Sequence, residues 1–372
     1  MDVLMVSTSY PADLSDWRGL FIRHMAEGLA RREDVQLRLW SPPGEIPRLA
    51  RMVSTPGESR WLAELMANGG IAHLMRGGGL RGLLAPVRLL TYLSAVYRRC
   101  KDVDIYHVNW LQCALPLPAN GKPLLVTVLG NDLKLLRLPL MRPLLRSVLR
   151  ARNSAICPNA DWMIEPLRDA FGDVARIVPV VFGIDPAWYA IERRAASAQR
   201  PVWVAVTRLT RDKLGPLFEW SEPLFKGQQR ELHVFGPMQE PIDIPDWVHF
   251  HGPATPEQLV RDWFPIAQGL VTLSRHSEGR PQVMLEAMAS GLPIIASDMP
   301  AHASMVVDGQ TGHLCDSPQG YASAIERIED PATHLRYGTN ARQWAAREVG
   351  TWDDCAGRYA DVYRSLLGKG QG

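Results

Sequence analysis

Residues 274–293 read Ser274-Arg275-His276-Ser277-Glu278-Gly279-Arg280-Pro281-Gln282-Val283-Met284-Leu285-Glu286-Ala287-Met288-Ala289-Ser290-Gly291-Leu292-Pro293. They follow an apolar run, Leu270 to Leu273, and divide into strand, turn, helix and stop. Pro281 suits the first helical position, where its missing N–H would have no helical partner anyway, and Gly291 with Pro293 ends the helix just beyond Ser290. The spacing predicts a helix over 281–290. A strand feeding a helix through a short turn is the repeating unit of a parallel sheet.

The same alternation runs in both directions. Towards the C-terminus, strand-like runs fall at Pro293 to Ser297 and His313 to Cys315; before it, at Val202 to Val206, Glu231 to Phe235 and Val248 to His251. An earlier series comprises Asp2 to Ser7, Gln36 to Trp40, Ile105 to Val108, Leu124 to Leu129, 154–157 and 176–181, with helical spacing at Gly19 to Arg32 and 83–100. Between the series, 183–200 is loose and reads as a linker. The expectation is an α/β chain of two doubly wound domains: 1–183, with 41–82 as an irregular Pro- and Gly-rich insertion, and 184–350, followed by a C-terminal helix within 351–372 that packs back on the first domain. In such sheets ligands bind at the carboxyl ends of the strands, which points to strand-to-helix turns and to the cleft between the domains.

The 372 residues exceed what one core usually supports, and 46 % apolar with 22 % charged residues excludes a disordered or fibrous chain. No run of 18 apolar residues occurs, and Met1-Asp2 opens without the positive charge of a secretory leader, so a cytoplasmic protein is expected. Cysteines 100, 113, 157, 315 and 355 lack CxxC spacing, which argues against a disulfide framework and a structural zinc site. The net charge of +2 conceals a split: 81–152 carries +9 and 153–372 carries −7. That split excludes a chain-wide nucleic-acid surface. Gly77-Gly78-Gly79-Leu80-Arg81-Gly82 fits a dinucleotide pattern in letters, but a turn rather than a strand precedes it. Asp102-Val103-Asp104 precedes its strand and so lies at the wrong end for a metal-held diphosphate.

Chemistry concentrates in 274–293. The N-terminal amides of its helix, with Gly279 allowing close approach, form a site for an anion such as a diphosphate. Glu278 and Glu286 are placed to accept hydrogen bonds from sugar and ribose hydroxyls. Amides alone leave such an anion under-neutralised, and Arg208 and Lys213, after the strand Val202 to Val206, supply the cations.

Glu278-Gly279-x-Pro281, Glu286 eight residues after Glu278, and Ala287-Met288-Ala289-x-Gly291-x-Pro293 resemble the paired-glutamate motif of the retaining glycosyltransferases of family 4, which have the GT-B fold. Arg208 and Lys213 match that family's phosphate-binding pair in type and spacing. Tyr10-Pro11 with Gly19, Gly130-x-Asp132 and Asp308-Gly309-x-Thr311-Gly312 extend the resemblance over nearly the whole chain. The resemblance implies two Rossmann-like domains facing across a cleft. It further implies that Glu286 binds the ribose, Glu278 a hydroxyl of the donor sugar, and Arg208 and Lys213 the diphosphate. Gly19, Gly279, Arg280, Pro281, Gln282 and Val283 would complete the donor site. The leaving diphosphate would assist deprotonation of the acceptor, with no metal or other cofactor required. The chain departs from the family at Leu129, where many members carry His, at Arg18-Gly19 in place of paired glycines, and at Thr207 in place of glycine.

The implied activity is transfer of a sugar from a UDP- or GDP-linked donor to a saccharide or lipid-linked acceptor, in polysaccharide or glycolipid biosynthesis. Acceptor-side candidates are His107, Asn109, Asn131 and Asp132; a buried structural histidine is the alternative reading of His107. Two other functions remain open, a sugar-nucleotide-binding partner subunit without turnover and a glycoside hydrolase using Glu278 and Glu286. Leu133 to Arg152 interleaves leucines with six basic residues, which suits attachment to the inner face of an anionic membrane, although Pro139 and Pro143 interrupt it.

Overall fold

The computed structural model describes residues 1–13, 16, 18–69, 79–130, 132–193, 200–276 and 279–368, with 79–83 described by backbone alone. The chain divides into two compact units, Met1–Gly183 with Trp352–Gly372, and Ile184–Thr351.

The first unit is built on seven parallel strands, β1 (Asp2–Val6), β2 (Gln36–Trp40), β3 (Ala50–Met52), β4 (Ile105–Asn109), β5 (Leu124–Val128), β6 (Ser154–Pro158) and β7 (Arg176–Ile177). Their order is β3-β2-β1-β4-β5-β6-β7. Alternate residues of β1 feed opposite layers, as strand geometry requires. Val3 and Met5 pack with Ile22, Met25 and Leu29 of the helix Leu20–Ala30 and with Tyr359 and Val362 of the helix Trp352–Leu366. Leu4 and Val6 pack with Trp61 and Leu65, with Leu93 and Val96, and with Leu145 and Leu149 on the other face. Each fully buried side chain of this kind contributes about 1.5–3 kcal/mol.

The stretch 41–82, expected to be irregular, instead holds β3 and a helix, Pro56–Ala67. Its start is a capping box: Thr55 Oγ1 accepts from Glu58 N at 3.3 Å and Glu58 Oε2 accepts from Thr55 N at 2.8 Å. The letters Thr55-Pro56-Gly57-Glu58 carry that signal, which the density of Pro and Gly obscured. Glu58 also accepts from Trp40 Nε1 and from Arg99, so one buried carboxylate joins β2 to two helices. The turn at Asp102 and Asp104 is solvated and structural: Asp102 pairs with Arg38, and Asp104 accepts from Asp2 N. Residues 77 and 78 of the glycine pattern lie outside the described residues, and Gly79 opens the helix Gly79–Arg99.

The second unit repeats the plan with β8 (Val202–Val206), β9 (Glu231–Phe235), β10 (Val248–Gly252), β11 (Ala267–Thr272), β12 (Ile294–Ser297) and β13 (Gly312–Cys315), in the order β10-β9-β8-β11-β12-β13, all parallel. The strand order reverses between β1 and β4 in one sheet and between β8 and β11 in the other. These are the switch points at which doubly wound sheets receive ligands.

The C-terminal helix is pinned to the first sheet by a buried polar network. His107 on β4 is wholly enclosed; its Nδ1 lies 2.6 Å from Tyr363 Oη and its Nε2 2.8 Å from Thr127 Oγ1, which is 3.0 Å from Tyr359 Oη. Replacing Tyr363 by Phe strands His107 Nδ1 without a partner. The expected cost is about 1–3 kcal/mol, the usual penalty for an orphaned buried polar atom, read as a lower urea midpoint for the transition that reports the first unit; an unchanged midpoint would show that the network does not hold the helix.

Candidate functional site

At the switch point of the second sheet, the chain leaving β8 remains tied to that leaving β9. Thr207 N donates to Phe235 O at 2.9 Å, Leu209 N to Pro237 O at 2.9 Å, and Gln239 N to Leu209 O at 3.1 Å. The close approach requires a glycine at 236, which adopts φ +139° and where a Cβ would fall 1.7 Å from Thr207 O. Arg208 is thereby fixed on a braced extension of β8, and its guanidinium donates to Gln239 Oε1 at 3.5 Å. Thr210 Oγ1 accepts from Lys213 N at 3.3 Å and caps the short turn Arg211–Leu214 that carries Lys213.

This turn is joined to the chain leaving β11. Arg275 N donates to Asp212 O at 2.7 Å. Gly215, at φ +54°, lets the backbone press on Leu273, whose carbonyl oxygen would lie 2.0 Å from a Cβ at 215. Ser297 Oγ, at the end of β12, donates to Ser274 O at 2.5 Å, and Ser274 Oγ accepts from His276 N at 3.1 Å. The turn carrying Lys213, the segment Ser274 to His276 after β11 and the end of β12 are therefore stitched together.

The helix expected over 281–290 spans Gln282–Ala289, with Pro281 just ahead of it in an extended conformation (φ −62°, ψ 115°) rather than in its first turn. A helix start concentrates N–H dipoles, and this one follows directly on Gly279-Arg280-Pro281. At the other end, Arg342 donates to Ser290 O at 3.0 Å and to Ile191 O at 2.7 Å, a cation where the helix dipole is negative. Glu286 is only partly accessible, and burial, together with the charge of Asp185, pushes its carboxyl up to about 8. Among the described residues no donor is bonded to that carboxylate. Glu278 lies outside the described residues, as does Asn131.

The first-unit candidates divide. Gly19 stands immediately before the helix Leu20–Ala30, its carbonyl accepting from Ile22 N at 2.9 Å. His107, offered as an acceptor contact, is corrected to a structural residue: both ring nitrogens are engaged, and burial holds its pKa down at about 3. Asp132 is a brace. Its two oxygens accept from Leu111 N at 3.0 Å and Leu129 N at 2.9 Å, which joins the exits of β4 and β5, and burial pushes its carboxyl up. Asn109 donates to Val6 O at 3.0 Å, while its buried Oδ1 has no partner among the described residues. Gln239, Asp185 and Arg342 were not anticipated from sequence. Only Gln239 had a signal, the strand-ending Gly236-Pro237 that puts it at the same sheet edge as Arg208.

Residues 200–330 match the family described as "Glycosyl transferases group 1". The D-inositol 3-phosphate glycosyltransferases of Streptomyces avermitilis and Corynebacterium urealyticum are 36 % and 31 % identical over 129 and 132 residues, 34 % and 35 % of this chain. The matched stretch spans 27 % and 30 % of those relatives' own length. Among solved structures, the sucrose-phosphate synthase of Thermosynechococcus elongatus superposes with a TM-score of 0.73 at 18 % identity, covering 99 % of this chain and all of that one. Anabaena HepE in complex with UDP and glucose superposes with 0.68 at 15 %, covering 98 % of this chain and all of HepE.

The state of Glu286 has a consequence for stability. A carboxyl raised from 4.5 to about 8 on folding makes the folded state bind a proton that the unfolded state releases, so stability falls as pH rises between those values. Glu286→Gln removes the proton linkage. Its thermal midpoint should exceed that of the wild type by a margin that grows from near zero at pH 4.5 towards pH 8; a difference independent of pH would contradict the raised carboxyl. The two parallel sheets and their order identify the chain's architecture as the GT-B fold of glycosyltransferases.

Proposed function

We propose that this chain is a retaining glycosyltransferase that moves a sugar from a UDP- or GDP-linked donor to a saccharide or lipid-linked acceptor in polysaccharide or glycolipid assembly. The observation that carries the reading is the bond from Arg275 N to Asp212 O, which ties the turn carrying Lys213, just after Arg208, to the chain leaving β11, the segment that precedes the helix Gln282–Ala289 in sequence. Two cations and a helix start suit a diphosphate, and Glu286 one turn along suits the hydroxyls of a ribose. The family match over 200–330 and the UDP held by HepE support the same donor class.

In the proposed reaction the bond between the anomeric carbon and the diphosphate breaks as negative charge grows on the departing oxygen. Arg208, Lys213 and the helix start stabilise that charge. A phosphate oxygen takes the proton of the attacking acceptor hydroxyl, which enters on the face the leaving group departs from, so the anomeric configuration is kept. With the charge met by these groups, the scheme calls for no metal ion at the diphosphate and no other cofactor. Glu278 would hold a hydroxyl of the donor sugar. On the acceptor side, Asn109 offers an unused buried amide oxygen at the switch point of the first sheet.

The acceptor is proposed to be met at an anionic membrane surface. The helix Met141–Arg150 exposes Arg142, Leu144 and Arg150, and Leu138 and Leu140 beside it are 49 % and 71 % exposed. Pro143, in the first turn, costs this helix no hydrogen bond. No described helix is long and apolar enough to cross a membrane. A hydrolase built on Glu278 and Glu286 would have no use for the two cations.

Arg208→Ala and Lys213→Ala should each lower transfer on the order of a hundredfold or more, with an unchanged thermal midpoint, and the product of the wild type should keep the donor's anomeric configuration by NMR; an inverted product, or variants of full activity, would overturn the reading. Binding to vesicles containing an anionic lipid should weaken as salt rises. Absence of binding at low salt would remove the membrane from the proposal.

A further inference from the structure

β10 forms the outer edge of the second sheet and pairs with β9, His249 standing directly beside His233. Glu231, two residues before His233 on β9, shares its face. One ligand atom from each of Glu231, His233 and His249 lies within 4.8 Å of the others, and among the described residues no other three such side chains converge in this way. His233 Nε2 is 3.2 Å from Glu231 Oε2, and its Nδ1 is 2.9 Å from His251 Nε2. The His233 ring has the rings of His249, His251 and Trp263 around it, with centroids at 4.6, 5.1 and 4.7 Å.

The geometry points to a binding site for a divalent ion of the zinc class, held by Glu231, His233 and His249 with water in the fourth position. Tetrahedral coordination at 2.0–2.2 Å places donor atoms roughly 3.3 Å apart, close to the separation already present between Glu231 and His233. The His233–His251 bond supplies the outer partner that a ligating imidazole needs to fix its orientation. An imidazole nitrogen binds in the plane of its own ring, so His249 must turn out of the stack to join the ion; it is exposed and able to do so. Two imidazoles and one carboxylate favour zinc-class ions over magnesium, which prefers oxygen and water. The cysteines at 100, 113, 157, 315 and 355 are all buried and do not compete.

His233 pairs with Val204 in the middle of β8, whereas Arg208 lies beyond the carboxyl end of that strand. The ion would thus clamp the edge strand β10 to β9 through side chains on one face of the pair; it takes no part in the transfer proposed above. The test is calorimetric titration of the metal-stripped full chain with Zn²⁺, with Mg²⁺ as counter-probe and the thermal midpoint followed in parallel. One Zn²⁺ should bind per chain and raise the midpoint. His249→Ala and Glu231→Gln should lose that binding, and His251→Ala should weaken it about 10- to 100-fold. Glu231→Gln retains a hydrogen-bonding group towards His233, so it tests the site even if another variant fails to fold. No Zn²⁺ uptake, uptake undiminished in His249→Ala and Glu231→Gln, or equal uptake of Mg²⁺ would each overturn the site.

Discussion

The hydrogen bond from Arg275 N to Asp212 O, 2.7 Å long, is the joint on which the candidate site depends. It couples the two turns that leave the central strands of the second sheet, one carrying Arg208 and Lys213 and the other leading into the helix Gln282–Ala289. Positive charge spread over two independent loops would meet the proposed diphosphate only at an entropic cost; the bond restricts the turn that carries Lys213 before any ligand arrives. The far end of the helix is held in place. Arg342 occupies the Ser290 carbonyl at its end, and Gly338 lets the helix Pro331–Glu348 approach Gly291 so closely that a Cβ at 338 would lie 2.3 Å from its carbonyl oxygen.

The second unit is acidic as a whole, yet the site proposed above for an anion lies at its switch point. Local arrangement decides the potential that a ligand meets, because charges beyond a Debye length of about 8–10 Å are screened while those at the site are not. Glu286 shows the cost of such a site. It sits where burial and Asp185 disfavour its charged form, an arrangement that gives up stability as pH rises. The first unit makes the opposite choice at His107 and Asp132, whose polar atoms are satisfied internally and serve to hold the C-terminal helix and the loops after β4 and β5.

The legible part of the sequence was the part governed by local signals. Apolar runs such as Val202 to Val206 and Leu124 to Val128 announce buried parallel strands, and Gly291 with Pro293 announces a helix end, so the doubly wound plan followed from the letters. Arg208, Lys213 and Glu286 could be singled out because each stands at a fixed offset from such a signal. The helix Pro56–Ala67 carries its capping box in the letters, but Pro and Gly mark both helix starts and irregular loops, so composition alone points the other way. The roles of His107 and Asp132 were not legible: whether a polar side chain faces a ligand or a buried tyrosine depends on what the C-terminal helix covers, which no spacing discloses. Asp185 and Arg342 reach the site only through packing between segments far apart in sequence.

The central claim, that the switch point of the second sheet receives a nucleoside diphosphate, is tested most directly by calorimetric titration of the wild type and Arg208→Ala with UDP, GDP and ADP. Saturable binding of at least one of them by the wild type, weakened in the variant, is the expected result. Failure of all three to bind the folded wild type, or binding that Arg208→Ala leaves untouched, would contradict it.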